Sequence, residues 1–210
     1  MRRIWRALLR LGFRLLYREM AWSYDLVSQI VSLGHWRDWQ RVAMRYARGP
    51  WVLDLAFGTG NLILDWHATG MTPVGVDLSP QMARIAARKV RARGLPLTLA
   101  RGRAQALPFA DETFDGVVST FPAGFILEQA TVEEVIRVLR PGGRFVVVLN
   151  ACLTGRGLLN RSLEWLYGIT GQRPPWPPAE EIAIPGGLSV RWEEVPGDGW
   201  VAMVLVGEKD

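Results

Sequence analysis

Downstream of Gly49-Pro50, short apolar runs alternate with segments whose apolar residues recur every three or four positions, the pattern of strands alternating with amphipathic helices. The first predicted strand is Val52–Ala56, and its helix runs from Asn61 to Ala68 before Gly70 ends it. A second strand, Pro73–Asp77, leads to Ser79, which caps a helix with Pro80 at its first position and an end near Gly94. Leu97–Ala100 and Gly116–Thr120 read as strands three and four. Thr131 is expected to cap a helix containing Val132–Arg140, stopped by Pro141-Gly142-Gly143, and Arg144–Leu149 follows as strand five. Leu188–Val195 and Trp200–Gly207 surround Pro196-Gly197-Asp198-Gly199, a hairpin signal. This repetition predicts an α/β fold with a parallel sheet, right-handed crossovers and helices on both faces.

Two regions depart from the alternation. Residues 2–20 project Arg2, Arg6, Arg10, Arg14 and Arg18 along one side of a helix and Ile4, Trp5, Leu8, Leu9, Leu11, Leu15 and Leu16 along the other. A second helical region spans Trp22–Ala47. Residues 151–186, with a helix expected over Leu158–Tyr167 and the stiff run Arg173-Pro174-Pro175-Trp176-Pro177-Pro178, read as an insertion over the ligand edge of the sheet.

The chemistry concentrates at Val52–Asn61, VLDLAFGTGN. A buried strand delivers Asp54 and then a tight loop of small residues, Ala56, Gly58 and Gly60, to the crevice where open α/β sheets hold nucleotide-like ligands. Side chains at Gly58 and Gly60 would keep a ligand off the backbone. Ile63 stands where the dinucleotide fingerprint needs its last glycine, which disfavours nicotinamide and flavin cofactors. Asp77, at the tip of strand two, can accept hydrogens from both ribose hydroxyls and argues against a 2′-phosphate.

Composition narrows the classes. With 210 residues, 49% of them hydrophobic, the chain fits one domain with a sizeable core. One cysteine, Cys152, rules out an intramolecular disulfide, and with only two histidines no metal site is expected. No apolar run approaches a membrane span, so a cytoplasmic protein is expected. Six arginines against Glu19 in residues 1–20 equal the whole chain's net charge of +5. Basic character thus belongs to one element, and nucleic acid is an unfavoured partner. That element suits either contact with the inner face of a membrane or packing on the domain or on a second subunit.

In sum these motifs resemble the class I S-adenosylmethionine-dependent methyltransferases. Asp54-Leu55-Ala56-Phe57-Gly58-Thr59-Gly60 is similar to the family's acidic residue and glycine loop, with Ala56 replacing the usual first glycine. Gly102-Arg103-Ala104-Gln105-Ala106-Leu107-Pro108-Phe109 looks like its G-D-A-x-x-L-P-F segment, with Arg103 in place of a residue that accepts a hydrogen from adenine. Asp111–Ser119 and Leu139–Arg144 match the surroundings of strands four and five. Tyr24-Asp25-Leu26 and Ser32-Leu33-Gly34 through Trp39 resemble the start of ubiquinone and menaquinone C-methyltransferases. After Phe121, however, Pro122-Ala123-Gly124-Phe125 stands where that group has an Arg-Asn pair.

The resemblance implies a single Rossmann-like domain over residues 1–210, with a seven-stranded sheet of order 3-2-1-4-5-7-6, strand 7 antiparallel. Cap helices would occupy 1–47, the cofactor-binding core 50–150, the insertion 151–186 and the terminal hairpin 187–208. It implies that S-adenosylmethionine, left as S-adenosylhomocysteine, contacts Tyr24, Asp54, Ala56, Phe57, Gly58, Thr59, Gly60, Asn61, Asp77, Leu78, Met82, Arg103, Ala104, Gln105 and Ser119. With Arg103 offering no acceptor, Gln105 or a backbone carbonyl must serve adenine. Phe121 and Trp176 are the expected substrate contacts. His35 is the candidate base, should the acceptor be a phenol or an acidic ring carbon. The aromatic and proline residues favour a small-molecule or lipid-like acceptor, such as a quinone precursor or a phospholipid amine. A noncatalytic module docking through residues 1–20, and methylation of RNA or protein, are the alternative classes. Oligomeric state stays open.

Overall fold

The computed structural model describes residues 21–155, 157 and 187–210. The amphipathic helix and membrane contact expected of residues 1–20, the helix Leu158–Tyr167, most of the insertion and Trp176 lie outside them. Seven strands form one sheet of order β3-β2-β1-β4-β5-β7-β6, as the resemblance implies. They are β1 Trp51–Leu55, β2 Thr72–Asp77, β3 Leu99–Arg101, β4 Phe114–Thr120, β5 Leu139–Leu153, β6 Leu188–Gly197 and β7 Trp200–Lys209. Pairing is parallel from β3 across to β5, and β7 runs antiparallel to both β5 and β6.

Alternating strand residues feed two cores. Val52, Val118, Val146 and Val148 join Trp39, Leu62 and Trp66 on one face. Leu53, Val117, Phe145 and Val147 join Ile126, Val135 and Val138 on the other. Both faces are covered, so β1 is apolar on both sides and all its residues after Trp51 are buried. At the sheet's edge, β6 exposes Ser189, Arg191 and Glu194 and needs no such run.

The helices are α1 Tyr24–Val31, α2 Trp36–Arg41, α3 Asn61–Ala68, α4 Pro80–Arg91 and α5 Gln129–Val138. Ser79 caps α4 as expected, its hydroxyl accepting from the Met82 N–H. The helical region expected over Trp22–Ala47 is present as α1 and α2 with a turn between them. Leu33 takes a left-handed φ of 52° after α1, while the Gly34 N–H reaches the Gln29 carbonyl and the Leu33 N–H the Ile30 carbonyl. This turn folds α2 back over the sheet, where Arg37 and Arg41 both bond Asp65 of α3 at 2.5 and 3.0 Å.

Helix α5 also differs from expectation. It begins at Gln129 behind Glu128, so Thr131 lies inside it and caps nothing. It ends at Val138, before the Pro-Gly-Gly turn, because the N–H groups of Glu112 and Thr113 take the carbonyls of Arg137 and Val138 and Leu139 already pairs with Phe114. Among the described residues, no helix is long and apolar enough to cross a membrane.

Candidate functional site

The carboxyl ends of β1, β2 and β4 open into a cavity of about 300 Å³, within the range that holds small ligands. One end is built by the loop after β1. Ala56 adopts a φ of 63°, a region that costs a non-glycine residue about 1–2 kcal/mol, so the substitution of the family's first glycine falls where glycine is easiest to accommodate. Its N–H is held by the Val76 carbonyl at 2.7 Å. Gly58 lines the cavity, and a β-carbon there would meet no protein atom within 4 Å, which leaves that space to a ligand.

Gly60 has a different reason to be glycine. It does not line the cavity; a β-carbon on it would lie 2.6 Å from the Ala86 β-carbon, and its φ is 77°. Packing of α4 on the loop, rather than ligand approach, demands the bare backbone. Gly60→Ala is expected to cost about 2 kcal/mol, from left-handed strain and overpacking together. Urea denaturation measures this, and an unchanged midpoint would show that α4 steps aside freely.

Two carboxylates flank the loop. Asp77 lines the cavity and accepts the Gly58 N–H at 2.8 Å and the Ser79 N–H at 2.7 Å, one on each oxygen. The carboxylate keeps acceptor capacity for a ligand. Burial raises its pKa, and the backbone bonds from Ser79, Gly58 and Leu78 work against that rise. Asp54 stands behind the lining, 1% exposed, with Oδ2 lacking any hydrogen-bond partner among the described residues. Burial, and then the neighbouring charge of Asp77, push its pKa up to about 8. An unpartnered buried carboxyl beside an open loop fits a ligand that brings a cation.

Leu78, Met82, Arg103, Ala104 and Gln105 line the cavity as expected. Gln105 gives its amide hydrogen to Glu128 at 2.7 Å, which leaves its carbonyl oxygen as the acceptor that Arg103 cannot supply. The Leu107-Pro108-Phe109 tail is pinned by residues the sequence did not single out. Glu134 accepts the Leu107 N–H at 2.7 Å, and Arg137 donates to the Leu107 and Phe109 carbonyls at 3.1 and 2.8 Å.

Tyr24, Trp36 and Gln40 arrive from the cap segment, and Thr120, Phe121, Pro122, Ala123 and Phe125 from the loop after β4. Trp36 stacks on Phe121 with ring centres 4.5 Å apart, and Tyr24 meets Trp36 edge-on at 6.2 Å. Phe121 sits at a φ of 51°, its N–H held by the Val148 carbonyl. A polar latch locks α1 to the loop. Asp25 accepts from Thr59, Asn61 and Lys89 at 2.6, 3.0 and 2.5 Å, and Lys89 also bonds Asn61 at 2.8 Å. Burial works to raise the Asp25 pKa, but these donors outweigh it and hold it below the ordinary value.

Phe57 and Thr59 line the cavity too, whereas Asn61, Ser119 and His35, like Asp54 and Gly60, do not. Asn61 is spent on the latch. Ser119 is fully buried and donates to the Leu55 carbonyl at 2.7 Å, so the next residue, Thr120, takes the lining position. His35 precedes α2 with Nδ1 3.7 Å from Asp38, and its neighbour Trp36 faces the cavity instead. Among the described residues no group of three ligating side chains could hold a metal ion.

A methyltransferase-domain family model matches residues 52–143. The chain is similar to demethylmenaquinone methyltransferases of Symbiobacterium thermophilum, 39% identical over 63% of this chain, and Thermus thermophilus, 41% identical over 63%. It spans only 57% and 63% of their lengths. A demethylmenaquinone methyltransferase of Mycobacterium sp. strain KMS is 36% identical over 90% of both chains. Among solved structures, geranyl diphosphate C-methyltransferase from Streptomyces coelicolor A3(2) has the same fold, with a TM-score of 0.60, 14% identity and coverage of 87% and 84%. The chain belongs to the class I S-adenosylmethionine-dependent methyltransferases, near the menaquinone C-methyltransferase group.

Proposed function

We propose that this protein transfers a methyl group from S-adenosylmethionine to a small aromatic, lipid-like acceptor of the quinone-precursor type. The observation that carries the proposal is one cavity lined at one end by Asp77, with the buried Asp54 behind it, and at the other by uncharged aromatic side chains. When bound, the cofactor supplies a methyl group already activated by its sulfonium.

The chain supplies position and exclusion. Asp77 would grip the ribose hydroxyls, Gln105 would accept from adenine, and Asp54 would face the methionine ammonium directly or through water. Tyr24, Trp36 and Phe121 would hold a flat apolar acceptor in line with the methyl and keep water from the reacting atoms. The aromatic wall and the demethylmenaquinone methyltransferase relatives favour a quinone precursor over a phospholipid amine, which would need a site for its phosphate. Arg103, at the cofactor end, is the sole lining cation among the described residues.

The test is transfer of radiolabelled methyl from the cofactor into fractionated lipid, small-molecule, RNA and protein pools of a cell extract. Label is expected in the lipid or small-molecule pool and in a chromatographic band that absorbs as an aromatic. Label confined to RNA or protein would overturn the acceptor class. Cofactor binding with no transfer to any pool would make the chain a noncatalytic module.

A further inference from the structure

Gln40 is the polar group at the acceptor end that the cofactor reading does not use. It lies on α2 and lines the cavity between Trp36 and Thr120, and its amide nitrogen donates to the Thr120 hydroxyl oxygen at 3.4 Å. Its amide oxygen is buried and accepts nothing among the described residues. A buried carbonyl oxygen left without a donor costs about 1–3 kcal/mol, so one at a ligand cavity marks where a ligand donor belongs. The neighbouring lining residues, Tyr24, Trp36, Phe121, Pro122, Ala123 and Phe125, carry no charge. An ammonium or phosphate head would find no counter-charge there among the described residues, whereas a neutral hydroxyl on a flat ring satisfies the amide oxygen and keeps its ring against Trp36 and Phe121.

We infer that Gln40, held by Thr120, is the anchor for a hydroxyl group of the methyl acceptor and selects hydroxylated aromatic rings over rings of the same shape without a donor. This rests on the aromatic-acceptor reading.

The test measures binding of 1,4-dihydroxynaphthalene and 1,4-difluoronaphthalene, under anaerobic conditions, to full-length protein saturated with S-adenosylhomocysteine, followed by tryptophan fluorescence. Wild-type protein is expected to prefer the diol by about tenfold or more, the worth of one buried hydrogen bond. Gln40→Leu should bring the ratio close to one while leaving the difluoro affinity and the S-adenosylhomocysteine affinity in place. Thr120→Val, which frees the amide to turn, should lower the ratio part of the way and provides a second variant should Gln40→Leu fold poorly. A wild-type ratio near one, or an undiminished preference in Gln40→Leu, overturns the anchor while the aromatic-acceptor reading stands. Failure of wild-type protein to bind either ring overturns both.

Discussion

Asp77→Ala is expected to weaken S-adenosylmethionine binding by about 10²- to 10⁴-fold, the loss of two charge-assisted hydrogen bonds to the ribose. The side chain lines the cavity and, after serving the backbone N–H groups of Gly58, Leu78 and Ser79, keeps acceptor capacity for a ligand. Removing it deletes the ligand's acceptors and also releases the backbone donors that shape the loop. Asp77→Asn separates these effects. It keeps one acceptor but turns an amide NH₂ toward a backbone N–H, so binding should fall less than in the alanine variant and the loop should still loosen. Calorimetric titration beside circular dichroism checks both. Binding by a folded Asp77→Ala protein within about threefold of wild type would remove the cofactor from this cavity.

Asp54 is expected to make cofactor binding depend on pH. Its carboxyl keeps a proton up to about pH 8 in the folded, ligand-free protein, through burial first and the Asp77 charge second, whereas in the unfolded chain it ionises near its ordinary value of 3.8. Between those values the folded state holds a proton that the unfolded state lacks. Stability of the ligand-free protein is therefore greatest at the acidic end of this window, falls as pH rises toward 8 and levels off above it. A cationic ligand reverses the preference by favouring the carboxylate, so binding expels the proton. Affinity should rise by about tenfold from pH 6 to pH 7, then flatten toward pH 8 as Asp54 ionises unaided and the ligand's own α-amino group begins to lose its proton.

Calorimetry in buffers of different ionisation enthalpy measures the released proton directly, and thermal melts from pH 5 to 8 measure the stability slope. Asp54→Asn should abolish the proton release and flatten its share of the slope. A pH-independent affinity between 6 and 7 in wild-type protein would show that Asp54 does not face the ligand's positive charge.

Sequence alone located the strand tips, because a strand buried on both faces and followed by small residues has few alternative structures. Asp54, the Ala56–Gly60 loop and Asp77 could be read from local pattern and spacing, whereas the sheet order came with the resemblance to the family. Local pattern misled where a residue's partner is distant in sequence. Thr131 had the chemistry of a cap, but tertiary bonds from Glu112 and Thr113 set the end of α5 and Glu128 its beginning. Gly60 had the look of a ligand-facing glycine, but Ala86, 26 positions downstream, explains it.

The acceptor end was the least legible part for the same reason. Trp36, Phe121 and Gln40 come from a cap turn and a strand end some 80 residues apart, and nothing in their separate segments states that they share a wall. Nor could composition reveal that His35 would turn to Asp38 while its neighbour entered the cavity. The alternation, the parallel sheet and the small-residue loop after β1 were fixed locally, since these follow from hydrophobic period and backbone sterics within a few residues. Which polar atoms beside the cavity are left without partners among the described residues depends on the packed chain, because burial and hydrogen-bond satisfaction are not properties of any one segment.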